Sequence, residues 1–426
     1  MNLLESRGGR RLLFSALYLC EGAPIGFLWW ALPTLLRSRG VEADRIGSLL
    51  AWLVLPWAFK WLWAPMIDRL GNGRWGLRGW IAGAQIAMAA TLLPLLRVDP
   101  LAHFELLVVA LVAHAVCAST QDAAIDALMI RNTAPHERGR LSGWMQLGML
   151  TGRSLLGGGA LLVVGAVGER ALVATLLAVL LGGLVLAAFY READAVGSRA
   201  ATQPAPALLP ILLACLGQRR TWVGLAFAAT AGAGFEALGA FAGPILSDLA
   251  DGNTNVAGQF FLIHAVVAAA LGGLVGGAVA DRIGARRATG LVGVLLAVAV
   301  LTTAAGISSV GSAGALVPHL TFAYATIGAF TAASYALFMD LTDPRVAATQ
   351  FSAYMSATNL CESWAVAVAG GLIAVHGYAS TLVAMAGVGV LALPLLLLLA
   401  PSGTVASMPT PRPASPGAQA SRGELP

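Results

Sequence analysis

The chain has 426 residues, 58% of them hydrophobic and only 11% charged, with a formal net charge of +5. Soluble domains carry about 25% charged residues, so this composition excludes a soluble globular protein and places the chain in lipid. The apolar runs lack the alternation of barrel strands, which leaves an all-α integral membrane protein.

A span needs about 20 mostly apolar residues. Runs of that length predict twelve transmembrane helices, at 12–36, 44–67, 76–97, 104–131, 139–165, 170–190, 219–247, 255–279, 286–306, 312–340, 348–374 and 377–400. The first run follows Arg7, Arg10 and Arg11 and so looks like a signal peptide. It is too long for an apolar signal core, holds Glu21 and Pro24, and is followed by no small-residue cleavage site, so it is read as a span. Between the sixth and seventh runs, 191-READAVGSRAATQPAPALLP-210 reads as a linker, and 401–426 as a disordered tail. The expected domains are an N-terminal six-helix bundle (1–190), a cytoplasmic linker (191–218), a C-terminal six-helix bundle (219–400) and the tail. Cys20, Cys117, Cys215 and Cys361 have no metal spacing and read as small packing residues.

Charge placement sets the orientation. Of 26 basic residues, 19 fall in inside loops or tails if the N-terminus is inside, and five (Arg37, Arg39, Arg45, Arg97, Arg170) fall outside. Lys60 and Arg153 lie within spans. The excess puts both termini in the cytoplasm. The net positive charge is thus a topological signal and gives no ground for a nucleic-acid partner.

The two halves echo each other. The loop 68-DRLGNGR-74 returns as 281-DRIGARR-287, Asp126 as Asp340, and 141-LSGWM-145 as 351-FSAYM-355, at offsets of 213, 214 and 210. Three matches in order make a parallel repeat of six plus six helices, the organisation of the major facilitator superfamily, with a site between the halves near midplane. The D-R-x-G-x-R-R loop resembles that superfamily's cytoplasmic loop between helices two and three. The resemblance implies a cytoplasmic gate involving Asp68, Arg69, Asp281 and Arg282.

Charges within spans cost about 2.5–3.5 kcal/mol each on insertion scales and are tolerated where they face a cavity or a partner. The candidates are Glu21, Lys60, Asp122, Asp126, Arg153, Glu236, Asp340 and Glu362. Asp126 and Asp340, matched in both halves near the cytoplasmic helix ends, suit packing or gating. Glu21 and Glu236 also match, and each is followed by glycines (22-GAPIG-26, 239-GAFAGP-244) where backbone can open toward a cavity. A proton-linked role and a structural hydrogen bond both remain open for them. Asp122 lies one turn before Asp126 on the same face, with His114 on roughly the same stripe. Arg153 and Glu362 occupy near-equivalent places with opposite sign, which suits a polar solute or a pair across the bundle. Lys60, the only lysine, either snorkels along its tryptophan neighbours or faces a cavity, paired with Asp122 or Asp126 or offered to an anion. The glycines 157-GGG-159 and 370-GG-371 read as sites of close helix contact.

The stretches 59-FKWLWAPMIDR-69, 119-STQDAAIDALMIRNTAPHERG-139 and 147-LGMLTGRSLLGGGALL-162 resemble the AmpG-type branch of the superfamily. That branch includes muropeptide permeases, siderophore importers of the RhtX/FptX kind and eukaryotic acetyl-CoA transporters. Matched positions are Lys60, Trp63, Pro65, Asp68, Arg69, Gln121, Asp122, Asp126, Glu137, Arg138 and Gly139. The resemblance implies that Lys60 and Asp122 belong to the transport path and the others mainly to the cytoplasmic gate, Arg138 included. Muropeptide permeases tend to carry arginine where this chain has Gln146, and Arg153 stands two turns further on. Twelve spans also resemble the siderophore importers more than the longer muropeptide permeases.

No phosphate-binding G-x-x-x-x-G-K-[ST] and no metal-binding histidine spacing occurs, so neither cofactor nor metal is expected. No clustered catalytic constellation points to a membrane enzyme. The expectation is a proton-coupled importer of the bacterial inner membrane, working as a monomer by alternating access on a bulky, polar, anionic solute. A siderophore is favoured, with an anhydro-muropeptide permease or an exporter of the same fold as alternatives. Lys60, Asp122, Gln146 and Arg153 are the candidate substrate residues, and Glu21, Glu236 and Glu362 the candidate proton carriers.

Overall fold

A computed structural model describes residues 2–63, 66–67, 76–97, 102–133, 135–191, 215–309, 311–342 and 347–399, with the backbone alone at 135–136, 138–140, 142 and 347–349. It is all-helical. Ten segments are each long and apolar enough to cross a membrane. The last of them, Gln350–Leu398, has 49 residues and as one helix would extend about 74 Å, more than twice the hydrocarbon thickness of about 30 Å. Gly377, at φ 75° and ψ 175°, breaks it into two spans. With the shorter Ala43–Phe59, this gives twelve helices among the described residues.

They are α1 (Arg7–Ser38), α2 (Ala43–Phe59), α3 (Gly76–Leu96), α4 (Phe104–Asn132), α5 (135–167), α6 (Glu169–Phe189), α7 (Arg219–Asp248), α8 (Asn255–Ile283), α9 (Ala285–Ser309), α10 (Ala313–Leu341), α11 (347–376) and α12 (378–398). The expected spans agree with these to within a few residues, except that the second ends at Phe59 rather than at 67. Lys60–Leu62 forms a 3₁₀ turn. Leu274, Val375, Leu391 and Leu397 on the outer faces are 73%, 75%, 78% and 81% exposed, as a lipid-facing surface requires.

Small residues set the helix contacts. Gly22 and Gly26 of α1 lie against the backbone of Met149 and Arg153, while Gly148 and Gly152 of α5 lie against Ser15 and Leu19. The stretch 22-GAPIG-26, expected to open toward a cavity, instead forms one side of this seam. Gly272 and Gly276 of α8 meet Ala325 and Ala329 of α10 in the same way. Each pair is a G-x-x-x-G spacing, which lets backbones approach where no hydrophobic effect drives helices together. Between the halves, Gly47 packs on Gly370 and Gly158 on Gly258 and Leu262.

Three π-helical turns, Phe27–Ala31, Ser154–Gly159 and Phe260–His264, converge where α1, α5 and α8 meet. Such turns recur at functional sites. Here Trp30 stacks on Phe261 at 5.0 Å and 10°, and Ser154 Oγ donates to the Leu262 carbonyl at 2.5 Å.

Among the described residues, the hydrogen bonds that join the two halves gather toward one end of the cleft. Inter-half hydrogen bonds join Trp29 to Glu362, Arg37 to Asp248, Ala51 to Ser363, Ser154 to Leu262 and Leu161 to Thr254. Among the described residues, all lie between mid-bundle and the end bearing loops 39–42 and 249–254. At the other end the first half has an apolar cluster of its own, including Phe14, Leu17 and Leu128. Among the described residues, the cleft therefore opens toward the end that carries the N-terminus.

Candidate functional site

Two groups of charge are embedded in the bundle. The first lies within the N-terminal half, among α1, α2 and α4. Lys60 Nζ donates to Asp122 Oδ2 at 2.7 Å, with side-chain exposures of 28% and 13%. The 3₁₀ turn at the end of α2 brings the ammonium to α4. One turn along α4, Asp126 Oδ1 accepts from Tyr18 at 2.7 Å. Glu21 is buried within electrostatic reach of Asp122, Asp126 and Lys60, and its Oε2 has no hydrogen-bond partner. Three carboxylates thus surround one lysine. All ionised, they would leave two uncompensated negative charges inside a membrane, at a cost of several kcal/mol.

The second group lines a cavity of about 330 Å³ between the halves. Arg153 of α5 reaches it from the N-terminal half, and Glu236 of α7 and Glu362 of α11 from the C-terminal half. The Arg153 guanidinium stands 4.8 Å over the Trp30 ring. Its Nε is buried without a partner, and among the described residues it makes no hydrogen bond or ion pair. Trp29 Nε1 donates to Glu362 Oε1 at 2.8 Å, and the same ring meets Trp57 edge-on at 5.7 Å. No side-chain hydrogen bond holds the Glu236 carboxylate among the described residues.

The other candidates stand as follows. Gln146 is exposed and is not part of the cavity wall; Arg153, two turns along the same helix, is. Asp340 is exposed with no partner among the described residues, whereas Asp126 is half-buried and hydrogen-bonded. Asp281 and Arg282 are exposed at the open end. Asp68, Arg69 and Pro65 lie outside the described residues, as does the side chain of Arg138. Glu137 is held by Arg7 at 2.6 Å and Arg10 at 2.9 Å, which fastens the start of α1 to α5. His114 is fully buried, its Nδ1 3.2 Å from both the Met88 carbonyl and Thr91 Oγ1, a packing role.

Residue reading missed the outer lock. Arg37 Nε donates to both carboxylate oxygens of Asp248 at 3.0 and 2.8 Å. Tyr378 donates to the same carboxylate at 2.9 Å. This joins α1, α7 and α12 at the closed end. It also missed Trp29, Trp30 and Tyr18 as partners of the embedded charges. A signal existed for the lock: Arg37 and Asp248 end the first helix of each half with opposite sign, an offset of 211 within the repeat.

A family model described as Major Facilitator Superfamily matches residues 14–364. "Putative transporter AmpG 3" of Rickettsia typhi is 28% identical over 120 residues, which is 27% of this chain and 28% of that protein. The chain therefore spans less than a third of the length of the curated relative it matches. Among solved structures, a D-xylose-proton symporter superposes with a TM-score of 0.74 at 13% identity, covering 92% of this chain and 97% of that one. The nucleoside transporter NupG gives 0.73 at 12% identity, covering 92% and 100%. At such identities the likeness is one of fold.

Proposed function

The chain belongs to the Major Facilitator Superfamily, and from that premise we propose that it is a proton-coupled importer of a bulky, polar, anionic solute across the bacterial inner membrane. A siderophore is the favoured solute class. The observation that carries this reading is Arg153: a guanidinium at mid-span, facing a cavity between the halves, with no hydrogen bond or ion pair among the described residues although Glu236 and Glu362 share the cavity. Such a charge costs about 2.5–3.5 kcal/mol on insertion scales, and an incoming anion offsets that cost.

In this reading residues 1–190 and 219–400 are two bundles that rock about the cavity, joined by a cytoplasmic linker, with a cytoplasmic tail beyond 400. The chain works as a monomer with both termini in the cytoplasm, as the arginine distribution supports. The open end of the cleft then faces the cytoplasm. Asp68, Arg69, Asp126, Arg138, Asp281, Arg282 and Asp340 belong to the gate that closes there when the outer lock opens. Lys60 and Arg153 neutralise the solute, Arg153 first because Lys60 is already paired with Asp122. Glu21, Glu236, Glu362 and Asp122 exchange protons: burial favours the neutral carboxyl and a nearby cation the charged one, so solute arrival and departure at Arg153 change proton occupancy.

The test uses right-side-out vesicles with an inward proton gradient, offered ferric siderophores and anhydro-muropeptides, their lumen read by mass spectrometry. Uncoupler-sensitive accumulation of a siderophore is expected. Accumulation of muropeptide alone would overturn the substrate class, and accumulation of neither would overturn import.

A further inference from the structure

Trp, Tyr and Phe make up 7% of the chain, yet eight of the 28 residues around the Arg153 cavity are aromatic. They come from both halves, with Trp29 and Trp30 on one side and Phe235, Tyr324, Phe330 and Tyr335 on the other. Pockets for small molecules are commonly apolar and aromatic with a few polar groups that fix orientation, so enrichment alone does not name a solute. The polar groups narrow it.

Beyond the charged residues and tyrosines, the wall offers Thr331, Ser334, Thr358 and Asn359. Three of these have already spent their donors on their own helices. Thr331 donates to Ile327 O at 2.9 Å, Ser334 to Thr331 O at 3.1 Å and Thr358 to Met355 O at 2.7 Å. Asn359 is the one uncharged amide left, and the Tyr324 hydroxyl, buried without a partner, and the Glu236 carboxylate are further free polar groups, too few for a solute rich in hydroxyls or amides. A sugar or peptide solute brings many hydroxyl and amide groups, and each one buried without a partner costs about 1–3 kcal/mol. An aromatic ring brings none, and gains about 0.5–1.5 kcal/mol per well-placed ring pair beyond its area burial. Arg153 is the cavity's cation, with one face of its guanidinium over Trp30, no direct bond to Glu236 or Glu362 across the cavity, and its edge left for a bidentate acid. The volume of about 330 Å³ lies at the compact end of the about 300–1,000 Å³ typical of small-molecule sites.

We infer that the solute is an aromatic anion: a flat ring system held between the aromatic walls of the two halves, with its acid group on Arg153. The inference rests on the transport reading and specifies its substrate. Among chelators it selects those built on an aryl acid, and it disfavours sugar-peptide solutes. Because the ring touches both halves, binding draws them together around it, and the solute itself becomes part of the contact that lets the outer lock open and reclose.

The test is direct binding to the full chain in nanodiscs, with tritiated 1-naphthoate as probe. Two competitors each lack one feature: 1-naphthalenemethanol lacks the charge, and cyclohexanecarboxylate lacks the aromatic ring. Saturable naphthoate binding is expected, with both competitors at least tenfold weaker. Arg153→Gln should weaken naphthoate at least tenfold and Arg153→Lys less, since lysine keeps the charge but loses the fork. Melting temperature and size-exclusion profile check that each variant is folded; if Arg153→Gln is not, Arg153→Lys and the competitor series decide. Cyclohexanecarboxylate competing as well as naphthoate, or a folded arginine variant binding like wild type, would overturn the inference. Solute counterflow in proteoliposomes separates the two levels. Counterflow of a siderophore or muropeptide without naphthoate binding sinks the aromatic class alone, whereas naphthoate binding without counterflow of any solute leaves the site and sinks transport.

Discussion

Replacing Asp248 by asparagine should shift the protein away from the conformation described here by a calculable amount. Asp248 accepts from Arg37 Nε with both oxygens and from Tyr378 Oη, and the lock ties three helices at the closed end. The side chains of Arg37 and Asp248 are 24% and 31% exposed, so solvent screens the pair and the low surface value applies rather than a buried one. An exposed pair contributes about 0.2–1 kcal/mol, and the shared tyrosine bond places this one near the top of that range. Asparagine keeps an acceptor for one donor and loses the charge. A loss of about 1 kcal/mol changes the ratio of closed to open outer ends by roughly fivefold. The assay is pulsed electron spin resonance between labels on loops 39–42 and 249–254, after replacement of Cys20, Cys117, Cys215 and Cys361. Asp248→Asn should raise the ratio of long to short distances about fivefold, with Tyr378→Phe giving a smaller change in the same direction. An unchanged distribution, or one shifted toward the short distance, would refute the lock.

Other perturbations discriminate further. Lys60→Met leaves Asp122 in the membrane without its cation, and should lower the melting temperature and abolish uptake; adding Asp122→Asn should recover stability without transport, because an isolated charge and not the missing pair causes the loss. Glu362→Gln retains an oxygen to accept from Trp29, so the protein should stay folded and exchange solute across the membrane, while proton-driven accumulation is lost. Gly158→Val places its side chain on the backbone of Gly258 and Leu262 and should hold the outer seam apart, seen as faster labelling of an outer-loop cysteine and loss of uptake. Gly377→Ala imposes a side chain at φ 75° and ψ 175°, a conformation taken essentially by glycine alone, and should cost about 1–3 kcal/mol, visible as a lower melting temperature with uptake retained.

The fold was legible because its causes are local. Apolar runs of span length and the D-R-x-G repeat fix helix number and order, and the helices begin and end within a few residues of those runs, save the second, which ends at Phe59. Partners were legible only in part. Asp122 was one of two carboxylates within reach of Lys60, and nothing in spacing says that the chain leaves α-helix at Phe59 and turns the ammonium toward α4. Trp29 and Glu362 are 333 residues apart, and only the packing of α1 on α5 and α7 brings the Trp29 ring within reach of α11. The G-A-P-I-G stretch shows the opposite failure. Glycine beside proline looks like a place for backbone to open, but what decides its role is the facing Gly148 and Gly152 on α5, a relation that neither helix encodes alone.

The measurement that bears most directly on the central claim is uptake by wild type and Arg153→Gln in the same vesicles under an imposed inward proton gradient. The account predicts uncoupler-sensitive accumulation of an anionic solute by wild type, and background levels in the variant at equal amounts of folded protein. Equal accumulation by Arg153→Gln would contradict it, since the unpaired guanidinium would then play no part in carrying the anion.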